Sequence, residues 1–198
     1  LKAIIKMENY GGAKFRTVFL SNSVPIIDKS KELISWFRKF YDAGLAPQYG
    51  SGSSGNLSFR HKKGLIIKST KTYFNTIKAD ELVYVEKFDF AEKTAYVHGK
   101  LEPSTELQMH YLIYQNRKDI NAVFHVHDYG IMKFAKKFGI PVTDVTEAGT
   151  EKIGYDALKK LDDKKFVMMK GHGVVAVGKN IEEAGKIILK YHRIALES

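Results

Sequence analysis

The chain has 198 residues, 44% of them apolar and 12% aromatic, which suits one domain with a substantial core and leaves two domains cramped. Its formal charge of +10 is spread along the sequence with no run of five or more basic residues, a pattern that argues against a nucleic-acid partner and suits a small phosphorylated substrate. The absence of cysteine excludes disulfides and thiolate metal sites. No apolar run approaches the roughly 18 residues of a membrane span, and no leader-like segment opens the chain, so a cytoplasmic protein that does not engage a membrane is expected.

Residues 1–26 carry two β-leaning runs, Lys2 to Lys6 and Lys14 to Leu20, parted by Gly11-Gly12, and read as a hairpin extension packed on a main domain over 27–198. Asp28 reads as the cap of a helix whose apolar positions are Leu33, Ile34, Trp36, Phe37, Phe40 and Tyr41, stopped by Gly44 and Pro47. The segment Tyr49-Gly-Ser-Gly-Ser-Ser-Gly-Asn56 has the composition of a linker, but nothing after it starts a fresh domain, so it reads as a glycine-rich ligand loop. Strands are expected over 57–60, 64–68, 81–86 and 94–97. A helix is expected from Ser104 to Gln115, with Ser104 or Thr105 as its cap. Further on, 129–138 and 154–161 read as helices and 165–169 and 174–177 as strands. Asn180 caps the last helix, with its apolar stripe Ile181, Ala184, Ile187, Ile188, Tyr191 and Ile194. Helices interleaved with hairpin-like strand pairs imply an α/β domain whose sheet is not purely parallel.

Chemistry concentrates in four places. His125 and His127 end the strand-like run Asn121 to Asp128, and residues two apart on a strand share a face, so both imidazoles can reach one ion. His172 stands in a second such run, Met168 to Val177, between two glycines. Glu106 follows two hydroxyl residues at the start of the expected helix, where its carboxylate can complete or serve the same site. His110, one helical turn after Glu106, is a rival ligand by spacing. Asp128 and Tyr129 are candidates for orienting the imidazoles, against simple helix capping, while His61, His98 and His192 read as surface or packing residues.

These residues resemble the class II aldolase and adducin head-domain family. The resemblance runs from about Asp28 to the C-terminus. It rests on four motifs in order: Gly55-Asn-Leu-Ser-Phe-Arg60, Pro103-Ser-Thr-Glu106, His125-Val-His127, and Gly171-His-Gly-Val-Val-Ala-Val-Gly178 with Glu182-Glu-Ala184 beyond. It implies a three-layer α/β/α domain with a central, mostly antiparallel sheet, in a homo-oligomer, a tetramer on the family's pattern. By the same resemblance His125, His127 and His172 hold zinc or another divalent ion, and Glu106 is the catalytic acid/base. A phosphate site is implied at Gly55, Asn56, Thr70, Lys71, Ser104 and Thr105, with Lys71 standing where the family commonly has glycine.

The implied activity is zinc-dependent cleavage or formation of a small phosphorylated ketose, such as L-fuculose 1-phosphate to dihydroxyacetone phosphate and lactaldehyde, through an enediolate held on the metal. The alternatives on this fold are a metal-dependent dehydratase or epimerase of a sugar phosphate, or a non-catalytic adducin-like module.

Overall fold

Residues 13–198 are described by the computed structural model. The first run and the Gly11-Gly12 turn of the expected N-terminal hairpin lie outside the described residues. The second run forms strand β1 (Arg16–Ser21), which joins the edge of the main sheet by pairing parallel to the stretch 94–98. Helix α1 (Asp28–Asp42) has Ile27 as its N-cap. Asp28, expected in that place, is instead the first helical residue, because Ser30 Oγ accepts the Ile27 N–H at 3.4 Å and so moves the cap back by one. The helix closes where Gly44 N–H donates to the Tyr41 carbonyl and Leu45 N–H to that of Phe40.

The glycine-rich segment is part of the domain. It folds into a two-rung hairpin, β2 (Gln48–Tyr49) with β3 (Gly52–Ser53), and Ser53 and Ser54 are buried. Ser53 Oγ accepts the Phe74 N–H at 3.1 Å, and Ser54 N–H donates to the Pro47 carbonyl at 2.8 Å, so both serines are structural. A meander follows, of β4 (Asn56–His61), β5 (Gly64–Lys68), β6 (Leu82–Asp89) and β7 (Thr94–His98).

Beyond it, α2 (Leu107–Asn116) leads to β8 (Ala122–Val126), which returns beside β4. Helix α3 (Tyr129–Phe134) is shorter than the expected 129–138. The chain is drawn off to the sheet, where Met168 N–H donates to the Pro141 carbonyl and Thr143 N–H to that of Met168. Helix α4 (Glu151–Leu161), strands β9 (Phe166–Met169) and β10 (Gly173–Gly178), and helix α5 (Ile181–Leu196) complete the domain. Asn180 caps α5 as its sequence position implied, its Oδ1 accepting the Glu183 N–H at 2.8 Å.

The eight-stranded sheet runs β1-β7-β6-β5-β4-β8-β10-β9, antiparallel at every pairing except β1 with β7. Helices α1, α3 and α5 cover one face and α2 and α4 the other, which is the expected three-layer α/β/α arrangement. Strand alternation then decides where the chemistry goes. On β8, Ala122, Phe124 and Val126 enter the core under α1 and α5, while Val123 points to the α2 side, and His125, two residues on, shares its direction. Among the described residues no helix is long and apolar enough to cross a membrane.

Candidate functional site

His125 is fully buried in β8, opposite Asn56 of β4 and Val175 of β10. Its Nδ1 donates to the Val174 carbonyl at 3.0 Å, which fixes the tautomer and leaves the lone pair on Nε2. That nitrogen lies 3.1 Å from Nε2 of His127 and 3.1 Å from Nε2 of His172. His127 follows β8 directly and stays on the same side. His172, expected within a strand, stands in the turn before β10, so the strand's alternation plays no part in aiming it.

Two glycines make this convergence sterically feasible. A Cβ on Gly173 would sit 2.6 Å from His125 Cε1 and 2.6 Å from the Val126 carbonyl oxygen. Gly55 has φ +85°, and a Cβ there would lie 2.6 Å from the His125 carbonyl oxygen.

Glu106 completes the cluster. The structure starts α2 three residues later than the expected Ser104, with Glu106 as N-cap, because Ser104 is held back by its N–H on the Lys68 carbonyl at 3.0 Å. Neither Ser104 nor Thr105 caps the helix. The Glu106 carboxylate makes no capping bond either. Oε2 lies 3.1 Å from His125 Nε2, and Oε1 lies 2.8 Å from His172 Nε2. Asn56 Nδ2 donates to Oε2 at 3.2 Å.

The donor set of this cluster fits a cation. Burial pushes the Glu106 carboxyl up, and the imidazoles of His125, His172 and His127 pull it well below the usual carboxylate range. An imidazole does this only when charged, yet burial pushes His125 down to about 4 and His127 well below its ordinary value, so at neutral pH those rings are neutral lone-pair donors. Three imidazoles whose ligand atoms lie within 4.8 Å of one another, with a carboxylate against them, fit a zinc-class ion. The 3.1 Å separations approach the roughly 3.3 Å expected between nitrogen ligands on a tetrahedral zinc.

The remaining candidates divide. His110 stands apart from the three ligand histidines. Its Nε2 bonds Asn56 Oδ1 and its Nδ1 faces Ser58, so the turn it shares with Glu106 does not make it a ligand. Asp128 caps α3, its Oδ1 accepting the Ile131 N–H at 3.0 Å, and its Oδ2 takes His192 Nδ1 at 2.7 Å. It orients no ligand imidazole, and Tyr129 is half exposed. His192 is thus more than a packing residue.

Thr70 and Ser104 lie on paired extended segments. Thr70 N–H donates to the Glu102 carbonyl at 2.9 Å, and Ser69 bridges Pro103, which brings Lys71 and Thr105 to the same region. Sequence reasoning did not single out Tyr49, whose phenol is pushed up by burial and by the charge of Glu106, or Lys68, buried immediately before the Ser69-Thr70 pair. Neither carries a motif, and only the fold puts them there.

Lys71 takes the left-handed backbone, φ +54°, that a glycine in its place adopts freely. Left-handed geometry costs a side-chain-bearing residue about 1–2 kcal/mol, partly offset by the extra flexibility of glycine in the unfolded chain. Lys71→Gly should therefore raise stability by up to about 1 kcal/mol while removing one cation from the anion site implied at 70–71. Thermal melts and titration with inorganic phosphate check both halves. A destabilised variant, or one with unchanged phosphate affinity, would contradict the expectation.

Comparison with known proteins places the chain in a family and a fold. Residues 31–196 match the family model for the class II aldolase and adducin N-terminal domain. The L-fuculose phosphate aldolase of Methanocaldococcus jannaschii is 30% identical over 171 residues, covering 78% of this chain and 86% of the relative. The 5-deoxy-D-ribulose 1-phosphate aldolase of Bacillus thuringiensis serovar kurstaki is 27% identical over 172 residues, 78% of this chain and 76% of that one. A solved L-fuculose 1-phosphate aldolase shares the fold at a TM-score of 0.72, with 24% identity over 87% of this chain and 86% of its own.

Proposed function

Because this chain belongs to the class II aldolase and adducin family, we propose that it is a metal-dependent aldolase that cleaves or forms a small phosphorylated ketose of the L-fuculose 1-phosphate type. The observation that carries the reading is the buried convergence of three imidazole Nε2 atoms with the Glu106 carboxylate, an arrangement with no use in a purely structural module. Relatives acting on L-fuculose phosphate and on 5-deoxy-D-ribulose 1-phosphate support the substrate class.

In this reading His125, His127 and His172 would hold a zinc-class ion, which when bound supplies a Lewis acid that polarises the ketose carbonyl. The Val174 carbonyl, by fixing the His125 tautomer, keeps one ligand aimed before any metal arrives. Glu106 moves the proton at the carbon freed when the carbon–carbon bond breaks, delivering it in cleavage and removing it in synthesis. Gly55, Asn56, Thr70, Lys71, Ser104 and Thr105 would hold the phosphate. The same reading makes the protein a homo-oligomer, a tetramer on the family's pattern.

The test pairs elemental analysis of purified protein with a cleavage screen of phosphorylated ketoses. About one zinc-class ion per chain is expected, lost in both His125→Ala and His172→Ala together with lyase activity. Full metal occupancy in those variants would sink the metal assignment, and a metal-loaded wild type that cleaves no ketose phosphate would sink the activity.

A further inference from the structure

The α2 side of β4 buries more polar side chains than the metal cluster uses. Asn56, Ser58, His110 and Tyr114 are each at most 3% exposed. They form one chain of contacts: Tyr114 Oη to Ser58 Oγ at 2.9 Å, Ser58 Oγ to His110 Nδ1 at 2.7 Å, and His110 Nε2 to Asn56 Oδ1 at 2.5 Å. Asn56 Nδ2 then reaches Glu106 Oε2 at 3.2 Å.

The hydrogens along this chain can be assigned from its last link backwards. A carboxylate only accepts, so Asn56 must turn its Nδ2 toward Glu106 and its Oδ1 toward His110. Oδ1 also only accepts, so His110 carries its proton on Nε2. Burial holds the ring neutral, with its pKa pushed down to about 3, which makes Nδ1 the acceptor of the Ser58 hydroxyl hydrogen. The competing assignments send the Ser58 hydrogen to the Tyr114 hydroxyl, 2.9 Å away, or to the Val123 carbonyl, 3.4 Å away. His110 would then be protonated on Nδ1, the Asn56 amide would reverse, and its oxygen would be set against the Glu106 carboxylate.

We propose that His110 is a positioning residue for Glu106, filling Asn56 Oδ1 so that the amide can present only N–H groups to the carboxylate and hold it against His125 and His172; this rests on the reading of Glu106 as the proton-transfer group. Asn56 Nδ2 then has a second hydrogen to offer a ligand.

The experiment uses zinc-loaded protein labelled with nitrogen-15 at histidine. Long-range proton–nitrogen correlation should show His110, identified by its loss in His110→Gln, as the neutral Nε2–H tautomer; an Nδ1–H tautomer overturns the proposal without recourse to activity. The second readout is exchange of the carbon-bound proton of dihydroxyacetone phosphate in deuterated water. His110→Phe should lower the exchange rate constant about 10–100-fold with little change in KM, and His110→Gln, which keeps a donor for Asn56, should recover part of it. If His110→Phe fails to fold, Ser58→Ala, which removes the donor to Nδ1 at small steric cost, should shift the balance of His110 tautomers and lower exchange in the same sense.

An unchanged rate constant in a folded His110→Phe, with exchange still lost in Glu106→Gln, would overturn the positioning role and spare the reading of Glu106. A rise confined to KM would assign Asn56 to the anion alone and overturn it equally. Wild-type exchange that survives Glu106→Gln would remove the reading of Glu106 and this inference with it.

Discussion

Glu106→Gln should lower turnover of the phosphorylated ketose about 10²–10⁴-fold, the usual contribution of a positioned acid/base, while leaving fold and metal content close to wild type. Glutamine has the same shape in a site where the residue is 1% exposed, and its oxygen can still accept the Asn56 N–H that now reaches Oε2. The three imidazoles keep their supports, above all the His125 bond to the Val174 carbonyl. What disappears is a carboxylate able to carry a proton. Binding and chemistry should therefore separate, with metal and dihydroxyacetone phosphate still bound but proton exchange with deuterated water slowed about 10²–10⁴-fold. Exchange that persists unchanged would hand the proton to another group. Asp128 is then a poor successor, being committed to α3 and His192, and Tyr49, which lies within electrostatic reach of Glu106, is the first to test.

A large stability effect is expected at Lys68. Its side chain is buried with the residue 2% exposed, its Nζ donating to the Ser69 carbonyl at 3.2 Å and lying 5.8 Å from the centre of the Phe74 ring. Burial pushes this ammonium down from 10.5 to about 8, with the charge of Glu81 acting in the opposite sense. The unfolded chain thus binds a proton between pH 8 and 10.5 that the folded chain releases, so stability rises with pH across that window. Below pH 8 the full cost applies, on the order of 3 kcal/mol. Lys68→Met, which keeps the length and removes the charge, should be more stable than wild type at pH 7 by up to that amount. The gain should fade toward pH 10.5 as the wild-type lysine becomes neutral in both states. Urea unfolding at pH 7 and at pH 10 measures it. A gap that is absent at pH 7, or that does not narrow at high pH, would show that Lys68 is better solvated than its burial implies.

Much of the site was legible because some interactions are set by local geometry. The two-residue period of a strand puts His125 and His127 on one face whatever the strand pairs with, whereas the close approach that needs Gly173 beside His172 shows only in the fold. Asn180 before an apolar stripe is likewise a local signal, and it capped the helix as expected.

Other assignments needed the tertiary structure, because they are choices between partners. Ser104 has the right chemistry for a helix cap, but its backbone is taken by Lys68 across the sheet, and Glu106 inherits the cap position while its carboxylate turns to the histidines. Asp128 has the right position to orient a ligand, but α3 and His192 claim both its oxygens. His110 has the spacing of a ligand, but the register that sets Asn56 beside His125 also brings Asn56 and Ser58 to its ring from more than fifty residues away. By itself, then, the sequence determined which groups are present and which way the chain aims the nearest of them, since direction follows from backbone period and turn geometry. Which of several acceptable partners each buried polar group takes was decided only by strand register and layer packing, because a hydrogen bond is selected by what lies within about 3 Å of the donor, and that neighbourhood is assembled from distant parts of the chain.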